Sequence, residues 1–175
     1  SRIDASRLTG LTAFTGRRRE IESLDRTWRS LEEGGRGHTV MLNGEPGIGK
    51  SRIVVQLIES IVEKPNRVIE CSCSVDSRNR SLQPIIGALE IALQFKLGAS
   101  DAYKWAALKR LLGSVQMQTD DVQYLIAVLL GIELPADFDP PEYSPQKRYQ
   151  KTLGAIKDLL ISICEISPVL FVIED

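Results

Sequence analysis

One octapeptide limits the folds open to this chain more than any other feature. Gly44-Glu45-Pro46-Gly47-Ile48-Gly49-Lys50-Ser51 fits G-x-x-x-x-G-K-[ST], the Walker A phosphate loop. Residues 39–43, Thr-Val-Met-Leu-Asn, precede it and read as a short buried strand. Residues 51–63 follow and read as a helix, with Ile53, Val54, Leu57, Ile58 and Ile61 at helical spacing. Strand, glycine-rich loop and helix, in that order, hold a nucleotide polyphosphate. A chance glycine-rich turn is the alternative, and both flanks speak against it.

The chemistry is local. Gly44, Gly47 and Gly49 can take backbone angles that a Cβ forbids. Successive N–H groups then turn inward toward phosphate oxygens. The helix that begins near Lys50 adds its positive end. Lys50 would reach the β- and γ-phosphates as a point charge. The Ser51 hydroxyl would ligate Mg²⁺, a hard ion that prefers oxygen. Pro46 stiffens the loop and lowers the entropy lost on ordering. The nucleotide-binding set therefore runs through Gly44, Glu45, Pro46, Gly47, Ile48, Gly49, Lys50, Ser51 and Arg52.

The 175 residues suffice for one domain with a core. A net charge of −1 gives no support to non-specific binding of nucleic acid or membrane. No apolar run approaches the roughly 20 residues that span a bilayer. The start, Ser1-Arg2-Ile3-Asp4, is neither a signal peptide nor an initiating Met, so a piece of a longer cytoplasmic protein is expected. Cys71, Cys73 and Cys164 are expected reduced, as core residues rather than metal ligands, since the chain has a single His.

Residues 1–12 read as a tail or linker. A helix is expected over 17–33, with Ile21, Leu24, Trp28 and Leu31 on one face. Residues 67–73 read as a second strand and 74–80 as a polar loop. A helix begins near Gln83, with Ser81 as its cap, Pro84 in its first turn and Ile85, Leu89, Leu93 and Leu97 on its apolar face. The next spans about 101–112 and carries Trp105, Leu108 and Leu111. Another is capped by Thr119, opens with Asp120 and Asp121 and stops at Gly131. A Pro-rich loop follows over 135–141. Ser144 then caps a long helix with Pro145 at its first position. Its expected buried stripe is Tyr149, Leu153, Ile156, Leu160 and Ile163. Val169-Leu170-Phe171-Val172-Ile173 reads as a fully buried strand of a parallel sheet.

That strand ends in Glu174-Asp175, the pattern of a Walker B motif. A buried parallel strand delivers such carboxylates to the edge where ligands bind in open α/β folds. One would hold the Mg²⁺ hydration shell and the other would polarise the attacking water.

Taken together, these stretches resemble the STAND-type AAA ATPase modules. Phe14-Thr15-Gly16-Arg17-Arg18-Arg19-Glu20 is similar to their opening F-V-G-R-E-x-E box, residues 44–51 to their G-E-P-G-I-G-K-S, and residues 169–175 to their apolar strand ending in E-D. Ser81-Leu82-Gln83-Pro84 and Ser144-Pro145-Gln146-Lys147-Arg148 resemble modules attached to class III adenylate or guanylate cyclases; related ones occur in LuxR-type regulators. The resemblance covers about residues 12–175. Arg18 departs from the box, which usually has Glu there, and Glu174 stands where the Mg²⁺-binding Asp is common.

The resemblance implies an α/β P-loop NTPase: a parallel sheet flanked by helices in three layers, incomplete at its C-terminus. Residues 13–175 would be the front half of that domain. In this class the strand after Walker B inserts between the Walker A and Walker B strands, so a gapped sheet and some self-association are expected. The catalytic residues would be Lys50, Glu174 and Asp175, the Mg²⁺ ligands Ser51 and Glu174, and Gly16-Arg17 would lie beside adenine and ribose. For Arg17, Arg18 and Arg19 a solvated basic turn is the competing reading. The function implied is an ATP-binding, slowly hydrolysing switch covalently joined to effector and repeat domains. The alternatives are a small-molecule P-loop kinase and a scaffold that nucleotide only stabilises.

Overall fold

The computed structural model describes residues 16–61, 67–72 and 82–174. The element order is α1 (Arg18–Glu32), α2 (Lys50–Ile61), β1 (Arg67–Ser72), α3 (Gln83–Ala92), α4 (Asp101–Ser114), α5 (Asp120–Leu129), α6 (Pro145–Ile166) and β2 (Val169–Glu174). The chain divides into two compact units, one running to Val68 and including Glu174, the other spanning Ile69–Ile173.

The first unit is a helix pair joined by the phosphate loop. α1 buries Trp28, and α2 buries Ile53, Val55, Leu57, Ile58 and Ile61. α1 ends in a glycine turn: Gly34 has φ +87, and the Gly35 N–H reaches back to the Ser30 carbonyl at 2.8 Å. A Cβ on Gly35 would lie 2.4 Å from that oxygen, so only glycine fits.

The expected strand over 39–43 does not form. Those residues carry no ladder, and Met41 is 78% exposed. An extended segment becomes a strand only when a neighbour takes its N–H and C=O groups, and none does among the described residues.

The second unit holds one apolar core drawn from α3 to α6. Leu108, Leu112, Ile126 and Leu159 are its most enclosed large side chains. Three of its helices begin with hydroxyl caps: Ser100 accepts from the Tyr103 N–H, Thr119 from Val122 and Ser144 from Lys147. α3 begins differently. Its cap position is Leu82, at φ 68 with no side-chain cap, and Ser81 lies outside the described residues. α3 also stops at Ala92, so Leu97, expected on its apolar face, is fully exposed.

On α6 the buried stripe is Thr152, Ala155, Ile156, Leu159 and Ile163, while Tyr149 and Leu153 face solvent. Thr152 can be enclosed because its hydroxyl donates to the Arg148 carbonyl at 2.9 Å.

β1 and β2 pair in a two-stranded parallel sheet. β2 was expected to be buried on both faces. Val172 is buried, but Ile173 is 67% exposed and Phe171 is exposed as well. Cys71 is buried and Cys164 exposed. Cys73, the tail over 1–12 and the loop over 74–80 lie outside the described residues. No described helix is long and apolar enough to cross a membrane. No cluster of His, Cys, Asp and Glu fit to hold a metal occurs among the described residues.

Candidate functional site: the phosphate loop

The loop's geometry follows from its glycines. Gly47 and Gly49 have φ +80 and +98, where a side chain would strain the backbone. Gly44 serves a different need. A Cβ there would sit 3.1 Å from Ile48 Cγ2, so the turn closes tightly only without one. The Ile48 N–H closes the loop onto the Glu45 carbonyl at 3.4 Å. α2 then begins at Lys50, and the Ile53 N–H takes the Gly49 carbonyl at 3.1 Å.

Lys50 is folded back over this loop. Its Nζ donates to the Gly44 carbonyl at 2.7 Å and to the Glu45 carbonyl at 3.0 Å. The ammonium is therefore held at the mouth of the loop, close to the N-terminal end of α2. Ser51 and Arg52 occupy the first turn of that helix and are half-buried. A positive charge and a helix N-terminus meet at this loop, a combination that suits an anionic phosphate group. The Ser51 hydroxyl in the first turn of α2 is of the kind that suits a hard cation.

Gly16 and Arg17 lie in the same unit, at the start of α1. Both are left-handed, at φ 91 and 56, and Arg17 stands at the cap position without a side-chain cap bond. Its guanidinium pairs with Glu20 at 3.0 Å, which holds the Glu20 carboxyl below the usual carboxylate range. Glu174 closes β2, and Asp175 lies outside the described residues. The structure therefore brings Gly44 to Arg52 together in one loop and helix start, with Gly16-Arg17 and Glu174 each at the end of its own element.

One polar cluster had no signal in the sequence. Asp121, in the first turn of α5, accepts hydrogen bonds from the Tyr143 hydroxyl and from Lys151 Nζ, the latter at 2.6 Å. Lys151 and Lys147 also stand over the Tyr143 ring, at 4.9 and 5.5 Å from its centroid. These residues are far apart in sequence and follow no periodicity, so only the packed α5 and α6 reveal them.

The octapeptide 44–51 and the helix that follows it are those of a P-loop module. A family model described as "AAA ATPase domain" matches residues 13–175, and the chain belongs to that family. Members of this family generally bind ATP with Mg²⁺. No curated protein and no solved structure matches the chain.

Proposed function

We propose that this chain is the ATP-sensing part of a regulatory switch in a multidomain signalling protein. The observation that carries the reading is the phosphate loop, with Lys50 Nζ held by the Gly44 and Glu45 carbonyls above left-handed Gly47 and Gly49. Ser51 would ligate Mg²⁺, and Glu174 with Asp175 would complete its shell and orient water. Gly16-Arg17 would contact the nucleoside, and the complete domain would carry helices on both faces of a parallel sheet. The attached effector would be a class III nucleotide cyclase or a LuxR-type regulator, in the cytoplasm. These finer assignments rest on the likeness of residues 14–20, 44–51, 81–84, 144–148 and 169–175 to those modules.

Calorimetry with ATP·Mg²⁺ tests the reading. Removing one charge-assisted contact costs about 1.5–3 kcal/mol. Lys50→Ala should therefore weaken ATP roughly ten- to hundred-fold. Equal affinity in two folded proteins would refute it. Phosphate release should be slow, because phosphoryl transfer depends on positioning as much as on binding. Fast turnover that Lys50→Ala abolishes would favour an enzyme over a switch.

A further inference from the structure

α6 carries its charges the wrong way round for a helix that stands alone. Lys147 and Arg148 sit in its first turn and Glu165 in its last, with no acid in the first turn and no base in the last. Positive charge at an N-terminus and negative charge at a C-terminus both oppose the helix dipole. The pattern runs the length of the element: the charged residues over 145–157 are all basic, and those over 158–166 are all acidic. Glu165 has no ion-pair partner among the described residues.

The side of α6 turned away from the core has its own oddity. Gly154 lies mid-helix, where glycine is less favourable than alanine. A Cβ there would meet nothing within 4 Å, so no described neighbour requires the glycine. Ile161, about two turns further along the same line of the helix surface, is 49% exposed, and Leu153 beside Gly154 faces solvent too. A missing side chain and a protruding one, on one line, make a hole and a knob. Lys157 and Asp158 stand between them and pair with each other at 3.3 Å. A second helix of the same sequence, laid antiparallel, sets each Ile161 over the other's Gly154. The same register brings each Glu165 within about one turn of the other copy's Lys147. The acidic end of each helix then runs along the basic end of the other, which offsets the charges that its own dipole opposes.

We propose that a second copy of this chain docks on α6, the two helices antiparallel about a two-fold axis, with Ile161 of each seated at Gly154 of the other. Such a contact uses the same patch on both copies, so it closes as a dimer and does not grow further. It involves no residue of the phosphate loop and does not rest on the nucleotide reading.

Sedimentation equilibrium of the full chain through the micromolar range tests this. A monomer–dimer equilibrium is expected, weakened by added salt because exposed charges are screened. Gly154→Leu should weaken it by about tenfold or more, since a side chain there holds the two backbones apart. The monomer should melt no lower, because leucine favours helix over glycine. Lys147→Glu and Glu165→Lys should each weaken self-association. Mixing these two variants should restore a dimer made of one of each, because both of its charged contacts then join opposite signs. Each of these two substitutions suits the dipole of α6, so a loss of association is not a loss of fold. A chain that stays monomeric overturns the proposal. A dimer that keeps its affinity in Gly154→Leu, or a pair of charge variants that fails to recombine, overturns it too, since association would then run through another surface. The wild-type and mixing measurements decide the matter even if Gly154→Leu misfolds.

Discussion

Lys50 shows how much one residue depends on its neighbours' backbones. Its ammonium stays at the loop because the Gly44 and Glu45 carbonyls accept from it, and the loop that carries them is closed through Gly47 and Gly49 in left-handed conformations. Gly49→Ala tests that dependence. Nothing lies within 4 Å of the added methyl, so the penalty is purely conformational. A left-handed Ala costs about 1–2 kcal/mol, which the loop can relieve by changing shape. ATP affinity should fall while the helical circular dichroism signal of α2 persists. Unchanged affinity would mean the loop binds in another conformation.

A second residue-scale prediction concerns Asp121. The Lys151 hydrogen bond first, then that of Tyr143, holds its carboxyl below the usual aspartate range. Its stabilisation is therefore present above the ordinary aspartate range and lost as pH falls through the lowered folded value. Tyr143 and Lys151 are both raised, chiefly by their hydrogen bonds to Asp121. Their contribution is present below their ordinary values and lost as pH rises past the raised ones. The melting temperature should be flat through neutral pH and fall at both extremes, and Asp121→Asn should flatten both limbs. Limbs as steep in Asp121→Asn as in wild type would remove the cluster from the explanation.

At the scale of elements, α6 separates the two faces that periodicity alone confuses. Leu159 is 1% exposed in the core, whereas Leu153 faces solvent. Leu159→Ala should cost about 2–5 kcal/mol in denaturant unfolding, and Leu153→Ala less than roughly 1 kcal/mol. A reversed order would rotate the helix. The sequence places Ile156, Leu160 and Ile163 on the right face but adds Tyr149 and Leu153, because it counts apolar residues and passes over Thr152 and Ala155. A satisfied hydroxyl and a small methyl pack as well as leucine where helices approach closely. Caps were easier to read: Thr119 and Ser144 act on their own helices within one turn, so local sequence suffices. The phosphate loop was legible for the same reason, its function being set by backbone freedom at fixed spacing. The segment over 39–43 was not, because a strand is made by its neighbour and not by its own residues. Asp25 and Ser60 escaped notice in the same way, meeting only when α1 packs on α2, whereas Trp28 was legible as part of the apolar face of α1.

The described residues fall into two compact units, each with buried residues of its own. The core cluster of the second unit runs from Leu82 to Val169 and contains no residue of α1 or α2. The phosphate loop sits in the first unit, whose helix pair meets around Trp28 and Ile61. Helices that bury one another along a single face form a smaller cooperative unit than a four-helix core. Heating should therefore unfold the chain in two steps, the α1–α2 unit melting first. A ligand that binds only one folded unit stabilises that unit alone, by about 2.7 kcal/mol at a hundredfold excess over its dissociation constant. Saturating ATP·Mg²⁺ should thus raise the lower transition and leave the upper one in place, with Lys50→Ala abolishing the shift. Calorimetric scans with and without nucleotide check this, and the Trp28 and Trp105 signals, one in each unit, assign the transitions. A single transition that moves as a whole with ATP would show instead that the two units are energetically one, because binding energy deposited at the phosphate loop would then reach the core around Leu108 and Leu159.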